Sequence, residues 1–439
     1  MTTISQAVSC MDDYDPNALP VAKAQQIVGQ LVEPVVGTER IFVRNALGRV
    51  LAADVISPID VPAHNNSAMD GYGVCAADLA AATETTLKVI GTAYAGRPYD
   101  GDIAPGQAVR IMTGAVLPPS VDTVVIQEVS RVEGDTLFVP PGQRPGQNTR
   151  RAGEDLQAGK AALPAGRRLG PADIGLIASL GLAEVTVRRR VRVAFFSTGD
   201  ELVSLGDKPT EGQIYDSNRY TIHAMLSQFG VEIIDMGVVR DDPASLEAAF
   251  REAIEQADAI ITSGGVSVGE ADFIKQLMDQ LGDVLFWKIA MKPGRPFAFG
   301  RIHSGNQSAF LFGLPGNPVA VMVTFYEFVR DALHRMAGVD PVPPVPLLPA
   351  KCISGLKKNP GRTEFQRGVL FREGGEWQVR ITGAQGSGIL RSMSEANCFI
   401  VLGPERGSVK PGDMVDVQLM QGLARYRWRA SRLPMVRPT

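Results

Sequence analysis

The 439-residue sequence contains few of the residues that mark a redox, secreted or zinc-binding protein. Its four cysteines, Cys10, Cys75, Cys352 and Cys398, are far apart and form no Cys-x-x-Cys pair. This spacing indicates neither a zinc site nor a disulfide framework. Aromatic residues make up only 6% of the chain, whereas 46 glycines and 30 prolines indicate many turns. With 45% hydrophobic residues the chain can still bury sizeable cores, and its length predicts two to four domains.

The sequence also has no excess of charge of one sign and no long apolar run. A formal net charge of −3 gives no reason to expect nucleic acid, which requires a concentrated basic face. The most apolar stretch, 309–329, is interrupted by Pro-Gly-Asn-Pro at 315–318, so it does not have the pattern of a membrane span. The acidic first 15 residues do not resemble a signal peptide. These features predict a cytoplasmic protein that binds neither nucleic acid nor a membrane.

Hydrophobic periodicity divides the chain into four predicted domains, a multidomain α/β plus β fold. Helical spacing at 18–57 and again at 158–190 predicts one discontinuous helical domain whose two parts pack together. Between them, 58–157 has short strands separated by turn residues, which predicts an inserted β-rich domain. At 191–340, apolar strands alternate with helical patterns and predict a mostly parallel α/β sheet. A proline-rich linker then leads to a predicted C-terminal β domain at 341–439.

Polar clusters follow the strands of the predicted α/β sheet, at the edge where such sheets bind ligands. A Gly-rich turn at 262–272 precedes a helix, so its backbone N–H groups and the helix dipole suit a phosphate. Lys288, Lys292 and Arg295 follow the next strand and would hold an anionic ligand or an oxyanion. This part of the pattern predicts an anion site.

Three carboxylates are predicted to lie at the same edge: Glu201, Asp241 and Asp272. They suit Mg²⁺, which takes few protein oxygens and shares its coordination shell with substrate phosphates. An anion site, cations and carboxylates together predict phosphoryl or nucleotidyl chemistry.

Each of these features has a simpler interpretation. A Gly-Gly turn often only connects a strand to a helix, and Lys292-Pro-Gly-Arg295 alone is typical of a surface turn. Asp272 is also explained as a charge that stabilises a helix start, and Asp241 or Asp242 as a helix cap. Because all of these features are predicted to lie at one edge of the sheet, a binding or catalytic site is favoured over the simpler interpretations.

One short motif favours a serine hydrolase. Gly265-Val-Ser267-Val-Gly269 matches the G-x-S-x-G nucleophile elbow of the α/β-hydrolases. The predicted strand ends at Thr262, however, which leaves Ser267 several residues beyond the elbow. His303 and His334 follow as candidate bases, but His334 lies in the middle of an amphipathic helix. The sequence therefore disfavours this function.

Eight motifs, taken in order, resemble those of a single family. They are Asn66-Ser-Ala-Met-Asp-Gly71, Arg110-Ile-Met-Thr-Gly-Ala115, Arg150-Arg-Ala-Gly-Glu-Asp155, Ser197-Thr-Gly-Asp-Glu201, Ser263-Gly-Gly-Val-Ser-Val-Gly269, Lys292-Pro-Gly-Arg-Pro296, Gly313-Leu-Pro-Gly-Asn-Pro318 and Phe365-Gln-Arg-Gly368. This set resembles the molybdopterin molybdenumtransferases of the bacterial MoeA type, which are related to the E domain of gephyrin. Each motif is weak alone, but the ordered set, from about residue 20 to the C-terminus, is specific.

The resemblance implies an elongated homodimer of four-domain subunits. Its sites would lie between the α/β domain of one subunit, of the molybdopterin-binding type, and the β-rich domain of the other. The implied reaction inserts molybdenum from molybdate into adenylylated molybdopterin and releases AMP, with Mg²⁺ as cofactor. The molybdopterin adenylyltransferase of the preceding step is a candidate partner.

The resemblance also assigns site residues by motif position. The implied catalytic residues are Asp70, Thr113, Asp155, Glu201, Asp241 and Asp272, of which the last three would hold Mg²⁺. The implied substrate-binding residues are Ser263, Gly264, Gly265, Ser267, Lys288, Lys292, Arg295, Pro296, Pro315, Asn317, Pro318, Arg367 and Ser392. Molybdate would lie near Arg295, Pro296, Arg367 and Ser392. The family often has Lys where this chain has Arg295, and Arg adds a planar fork of donors.

Two further functions compete with molybdenum insertion. Residues 191–338 alone also resemble the molybdopterin adenylyltransferases, but the segment at 66–71 and the C-terminal β domain are expected only in the molybdenum-inserting enzyme. A non-catalytic scaffold is the other alternative, because the E domain of gephyrin also clusters receptors. The sequence lacks the fused second domain of such a scaffold, and its acids are intact.

Overall fold

The computed structural model describes residue 15, residues 17–264 and residues 272–420, with the backbone alone for 272–275. The chain divides into two compact units. The small unit comprises residues 40–47 and 51–186, and the large unit comprises the chain up to residue 39, residues 48–50 and the chain from residue 187 onward. The four domain boundaries predicted above are finer than this division and stay a prediction. Within the described residues, no helix is long and apolar enough to cross a membrane.

In the described part of the chain the helices are short. They are α1 (Val21–Leu31), α2 (Pro171–Ser179), α3 (Ser217–Phe229), α4 (Pro243–Gln256), α5 (Asp272–Leu281), α6 (Pro318–Thr324), α7 (Arg330–Met336) and α8 (Leu390–Ser394), with a π-helical turn at Phe325–Val329 and 3-10 turns at Val43–Asn45, Ala76–Asp78 and Gln127–Val129. The carboxylate of Asp242 caps α4 by accepting from the backbone N–H of Ser245 at 2.9 Å, with Pro243 in the first helical position.

The small unit is built on one mixed sheet. The strands of this part of the chain are β1 (Thr38–Phe42), β2 (Val55–Ile56), β3 (Asn66–Ser67), β4 (Gly71–Val74), β5 (Thr85–Ala93), β6 (Gln107–Ile111), β7 (Thr123–Ile126), β8 (Arg131–Glu133), β9 (Thr136–Val139), β10 (Thr149–Arg150), β11 (Ala161–Leu163) and β12 (Glu184–Arg188). The chain passes from one unit to the other within β1 and again within β12. The sheet runs β7-β4-β6-β5-β9-β8, and only β5 and β6 are parallel. Val125 packs into the core on one face and Val124 into the core on the other. The predicted β-rich domain is confirmed.

The large unit begins with the predicted α/β sheet. Its strands are β13 (Arg192–Thr198), β14 (Leu202–Val203), β15 (Ile214–Tyr215), β16 (Glu232–Val239), β17 (Ala259–Ser263), β18 (Gly282–Lys288), β19 (Met291–Lys292), β20 (Pro296–Ser304) and β21 (Gln307–Leu314). The order is β16-β13-β17-β21-β20-β18, and the first four strands are parallel. Phe195 and Phe196 enter cores on opposite faces, so the sheet is covered on both sides. The mostly parallel sheet is confirmed, and β20 is an additional antiparallel strand.

Helix α1 does not follow the predicted packing. Its buried residues Val21, Ala24, Ile27 and Val28 belong to the core of the large unit, together with residues of α7 such as Met336. The apolar face expected to meet the helical segment near residue 174 is therefore used within the large unit. The stripe of apolar residues predicts a buried face but does not specify which surface covers it.

The C-terminal part of the large unit is a closed barrel. Its strands are β22 (Leu347–Cys352), β23 (Thr363–Glu373), β24 (Glu376–Ile381), β25 (Cys398–Leu402) and β26 (Met414–Leu419). They follow the order β23-β24-β22-β26-β25, and β25 pairs back with β23. Strand β19 of the α/β part pairs in parallel with β23, matching Lys292 with Glu364. This pairing attaches the barrel directly to the end of the α/β sheet.

A buried carboxyl group connects three elements of the large unit. Glu327, in the π-helical turn, accepts from Gln25 of α1 at 3.0 Å and from Gln418 of β26 at 2.8 Å. Burial raises the pKa of Glu327 to about 7, and of the two charges that act on it Arg330 lowers the pKa and Asp331 raises it. Between pH 4.5 and about 7, Glu327 is therefore protonated in the folded protein, whereas the same carboxyl group is ionised in the unfolded chain.

The first prediction concerns the dependence of stability on pH. A carboxyl pKa raised in the folded state stabilises the fold below the unfolded value, 4.5, and this contribution is lost as the pH rises through about 7. In Glu327→Gln this dependence should disappear. From pH 5 to pH 8 the free energy of unfolding of the wild type should fall by up to about 3 kcal/mol relative to that of the variant. Urea unfolding at both pH values measures it, with Glu255→Gln on the exposed face of α4 as control. An identical pH dependence in Glu327→Gln and wild type would contradict the prediction.

Candidate active site

The three acids predicted to lie at the carboxyl edge follow three neighbouring strands. Asp241 follows β16, Glu201 follows β13, and Asp272 begins α5 after β17, in the sheet order β16-β13-β17. Asp241 and Glu201 are exposed. The backbone thus brings all three positions to one edge, as the alternation of strands and helices predicted. The side chain of Asp272 lies outside what the structure describes.

The carboxylate of Glu201 folds back over its own turn. Gly199 has φ near +150°, and a Cβ there would lie 2.6 Å from Oε2 of Glu201. The backbone carbonyl of Glu201 accepts from the N–H of Ile214 at 2.8 Å. The positive φ of residue 199 favours glycine, so the Ser-Thr-Gly-Asp-Glu motif has a local backbone reason.

The turn after β17 lies close against β13. Gly264 has φ +94°, and a Cβ there would lie 2.5 Å from the carbonyl oxygen of Thr198. Its N–H donates to the carbonyl of Leu314 at 3.2 Å, so the turn also contacts the end of β21. The next residues of this predicted anion turn, Gly265 and Ser267, lie outside the described residues, as does the whole candidate nucleophile elbow.

Asn218, a residue that the sequence did not predict, connects two of the predicted turns. Its Nδ2 donates to Oγ of Ser263 at 2.8 Å and to the carbonyl oxygen of Gly316 at 2.7 Å. The sequence did contain one signal, because Asp216-Ser-Asn before a helical pattern is typical of a helix N-terminus.

The turn that contains Gly316 leads into α6. Pro315 is buried, Asn317 is the exposed N-cap residue, and Pro318 is the first residue of the helix. Asn317 makes no capping hydrogen bond through its side chain. The N–H of Val319 donates to the carbonyl of Ser387 at 3.1 Å. A loop of the barrel therefore lies at the start of α6.

The predicted cations follow β18, the last strand in the sheet order, and lie near the place where the α/β part meets the barrel. Lys288 ends β18 opposite Pro296, and Nζ of Lys292 lies 3.8 Å from Oε1 of Glu364. Gly294 has φ +92°, and a Cβ there would lie 2.5 Å from Oγ1 of Thr324. The Lys-Pro-Gly-Arg segment is therefore packed closely against the end of α6, which a simple surface turn would not be. Arg295 itself is exposed.

Arg367 is a buried cation with neutral partners. Only 1% of the residue is exposed, and its guanidinium donates to Oγ of Ser392 at 3.1 Å and to the carbonyl of Gly386 at 2.9 Å. No carboxylate among the described residues forms an ion pair with it. Burial lowers the pKa of Arg367 to about 10, which leaves the group charged at neutral pH. A buried charge normally requires a counter-charge, so this cation favours a bound anion.

Arg367 and Lys292 line one cavity of about 300 Å³. Glu364, Gln366 and Gln385 contribute polar groups to the same wall. Oε2 of Glu364 accepts from Nε2 of Gln366 at 3.1 Å, and Glu364 is buried. Lys357 is a third cation in the lining, so the cavity combines three cations with one carboxylate that already accepts a hydrogen bond. Arg367 and Lys292 were predicted, whereas Glu364, Gln366 and Gln385 were not.

In the small unit, Asp70 and Thr113 are brought together. Oδ1 of Asp70 accepts from both the backbone N–H and the hydroxyl of Thr113, each at 2.7 Å. The backbone hydrogen bond, followed by the hydroxyl bond, lowers the pKa of Asp70. Gly71 is required beside it, because a Cβ there would clash with the carbonyl oxygen of Val125. Asp70 therefore bonds a distant residue rather than its own turn.

Asp155, the third predicted acid of the small unit, is exposed and held through its backbone. Its N–H donates to the carbonyl of Val61 at 3.0 Å. Across the described residues, no three His, Cys, Asp or Glu side chains form a group that could hold a metal ion by themselves.

Comparison with protein families first defines the class of this protein. The model of the MoeA N-terminal region (domain I and II) matches residues 19–181, that of a probable molybdopterin binding domain matches residues 194–335, and that of the MoeA C-terminal region (domain IV) matches residues 349–420. These matches define a multidomain protein built around a molybdopterin-binding type of α/β domain. They include the N-terminal and C-terminal regions that an adenylyltransferase is not expected to have.

Individual relatives give the family. The molybdopterin molybdenumtransferase of Haemophilus influenzae is 45% identical over 383 residues, which are 87% of this chain and 93% of that protein. The molybdopterin molybdenumtransferase of a Nostoc species is 37% identical and covers 83% of this chain and 85% of its own. A crystal structure of the molybdopterin biosynthesis MoeA protein of Pyrococcus horikoshii has a TM-score of 0.78 at 28% identity and covers 92% of this chain and 100% of that one. The chain belongs to the molybdopterin molybdenumtransferase (MoeA) family.

Membership in this family confirms the resemblance found in the motifs and the class of enzyme. It also confirms the four-domain fold class, with its molybdopterin-binding type of α/β domain and its β-rich domains. The roles of the individual site residues stay predictions.

The second prediction concerns the pair Asp70 and Thr113. Thr113→Val removes the hydroxyl donor and keeps the backbone donor, so the pKa of Asp70 should rise part of the way to its ordinary value. Thr113→Ser retains a hydroxyl and should leave this pKa low. Titration of the side-chain carboxyl ¹³C resonance in aspartate-labelled protein measures both. The hydroxyl contributes nothing to the pKa if Thr113→Val and wild type titrate alike.

Proposed function

We propose that this protein inserts molybdenum from molybdate into adenylylated molybdopterin and releases AMP, in the last step of molybdenum cofactor biosynthesis. The observation that carries the proposal is the cavity between the α/β part and the barrel, with Lys292 and the buried Arg367 in its wall. The names of the relatives, molybdopterin molybdenumtransferases, identify the metal and the pterin that such a site would bring together.

The cavity has the chemistry required for an oxyanion such as molybdate. A tetrahedral dianion needs several donors and at least one charge, and charge-assisted hydrogen bonds from Arg and Lys are the strong ones. The guanidinium of Arg367 is held by Ser392 and Gly386, so its orientation is fixed before an anion arrives. Glu364 lies 3.8 Å from Lys292 and holds that cation at the cavity wall. In our proposal Arg295 and Pro296 border the same anion from the strand β20 side, with Arg in place of the usual Lys.

The adenylyl phosphate would lie at the carboxyl edge of the parallel sheet. There the turn Ser263-Gly264 follows β17, and the Pro315–Pro318 turn with Asn317 follows β21. Helices α5 and α6 both begin at this edge, and a helix N-terminus favours negative charge. Lys288, at the end of β18, supplies a further cation. The two anions repel each other, so the cations must offset that repulsion before the two substrates can react.

Mg²⁺ belongs to this proposal as the cofactor. The oxygen donors fit it, because Glu201 and Asp241 present exposed carboxylates after neighbouring strands and Asp272 follows the next. Mg²⁺ keeps several waters and takes one or two carboxylates plus substrate phosphates, so it does not need a cage of three side chains. When bound, it would neutralise charge on the phosphate and polarise the bond to AMP.

The remaining acids would act in the same site from a second subunit. The pKa of Asp70 is lowered by Thr113, which keeps this group a carboxylate and a hydrogen-bond acceptor at neutral pH. With Asp155 it would position water or substrate. We therefore include in the proposal a cytoplasmic homodimer with shared sites, and the molybdopterin adenylyltransferase as the partner that supplies the substrate.

The third prediction tests the molybdate cavity. Lys292→Ala should weaken molybdate binding about 10- to 100-fold, because it removes a charge-assisted bond, and should leave the thermal midpoint unchanged, because the side chain is 51% exposed. Isothermal titration with molybdate measures the affinity. Lys351→Ala is the matched control, since Lys351 also lies 3.8 Å from a glutamate and its side chain is 47% exposed, but on the barrel away from the cavity. Equal molybdate affinities in the two variants would favour a surface role for Lys292.

The fourth prediction tests the reaction and the shared site together. Purified protein with adenylylated molybdopterin, molybdate and Mg²⁺ should release AMP, whereas an adenylyltransferase would instead consume ATP. Asp70→Asn and Glu201→Gln should each release none while remaining folded.

Mixing these two inactive variants decides between shared and unshared sites. Random subunit exchange gives half heterodimers, each with one complete site, so about a quarter of full activity should return. Persistent inactivity despite demonstrated exchange would place both acids in one subunit's site. An absence of AMP release by the wild type itself would overturn the proposed reaction.

A further inference from the structure

Asn218 lies where three segments at the carboxyl edge of the sheet meet. It is the second residue of α3 and only 9% exposed. Its Nδ2 bonds Ser263 at the end of β17 and the carbonyl of Gly316 after β21, and these two strands are neighbours. The amide of Asn218 therefore fixes the spacing of two turns, and in the proposed function these turns bind the adenylyl phosphate.

These two bonds also determine the orientation of the amide. The carbonyl of Gly316 can only accept a hydrogen bond, so the nitrogen of the amide must face it. The other end, Oδ1 of Asn218, is buried and has no hydrogen-bond partner in the described part of the chain. Its acceptor capacity remains available to a ligand.

Asp216, two residues earlier, is arranged in the same way. Its Oδ1 caps α3 by accepting from the N–H of Arg219 at 3.0 Å. Its Oδ2 is buried without a partner among residues 17–264 and 272–420, and only 2% of the residue is exposed. Asp216, the N-cap residue of α3, and Asn218, its second residue, thus each provide one unused acceptor.

Unpaired buried atoms are concentrated at this edge. Over the part of the chain that the structure describes, seven buried side-chain atoms lack a hydrogen-bond partner, and four of them belong to Ser197, Thr198, Asp216 and Asn218. The first two end β13, where Ser197 pairs with Ser263. Buried polar groups are normally paired, and an unpaired one costs free energy that a bound donor recovers. Such a concentration at a proposed substrate edge points to a ligand.

We propose that Oδ2 of Asp216 and Oδ1 of Asn218 bind the ribose diol of the adenylyl group. A ribose offers two O–H donors a short distance from its 5′-phosphate, which matches two unused acceptors at the start of one helix beside the turns that the proposed function assigns to the phosphate. A carboxylate and an amide oxygen repel phosphate, so the pair also fixes which end of the nucleotide lies there. The inference rests on the proposed function, from which it takes the adenylyl group.

The fifth prediction compares AMP with 2′,3′-dideoxy-AMP, which lacks both donors. Isothermal titration should show the wild type binding AMP at least about tenfold more tightly than the dideoxy compound, as two hydrogen bonds predict. Asp216→Ser keeps a good helix cap but removes Oδ2, so the preference for AMP should fall to about threefold or less. Its affinity for dideoxy-AMP and its thermal midpoint should stay unchanged, which a merely structural role would not allow.

Two further variants complete the test. Asn218→Asp keeps an acceptor but loses the amide donor that holds the turns, so it should weaken both ligands equally. Asn306→Ala, in the exposed turn between β20 and β21 at the opposite edge of the sheet, is the matched control and should change neither affinity.

Three results would overturn the inference. They are equal affinities of the wild type for AMP and dideoxy-AMP, an equal loss of both affinities in Asp216→Ser, and an undiminished preference in that variant. A wild type that binds no AMP at all would overturn the adenylyl part of the proposed function as well, so the two failures are distinguishable.

Discussion

The short parallel pairing of β19 with β23 is the contact on which the proposed molybdate site depends. It joins the α/β part to the barrel and places Lys292 beside Glu364. Because Arg367 lies on the same strand as Glu364, the pairing also fixes the position of the buried guanidinium relative to Lys292. Residues of both strands line the cavity, Lys292 from β19 and Glu364 and Arg367 from β23. A site assembled from two domains in this way derives its geometry from the main-chain pairing of the two strands.

Glycine has a specific role wherever the site elements approach each other closely. Gly264 lies against the carbonyl of Thr198, and Gly294 lies against the hydroxyl of Thr324, at distances that a Cβ would not allow. Both also have positive φ values, so an L side chain would be strained there even with more space. The first glycine brings the turn after β17 to the end of β13. The second packs the cation-bearing turn onto the end of α6. The short glycine-containing motifs are therefore steric requirements of the site.

Much of the fold could be predicted because local patterns report local structure. Five of the six strands of the α/β sheet and the cap at Asp242-Pro243 were visible as apolar runs and helix-start signals. Strand β20 was missed, since a proline and a Gly-containing turn directly precede it. The predicted packing partner of α1 was wrong, because a stripe of apolar residues predicts a buried face but does not determine which surface covers it. The closure of the barrel by β23 and β25 depends on pairing between distant segments, which no short motif encodes.

The candidate site was predictable to a different extent for each kind of residue. Acids and lysines after strands were found because the topology of parallel sheets gathers strand ends, and Arg367 and Ser392 were found only through the resemblance. Asn218 and Asp216 were missed since a cap-like Asp-Ser-Asn sequence looks the same whether or not it also serves a ligand. Their dual use becomes visible only when hydrogen bonds are counted atom by atom. One oxygen of Asp216 and the nitrogen of Asn218 satisfy the fold, and the remaining oxygen of each has no partner in the described chain. Burial without a partner destabilises the protein alone, and the two hydroxyl groups of the proposed ribose would supply the missing donors.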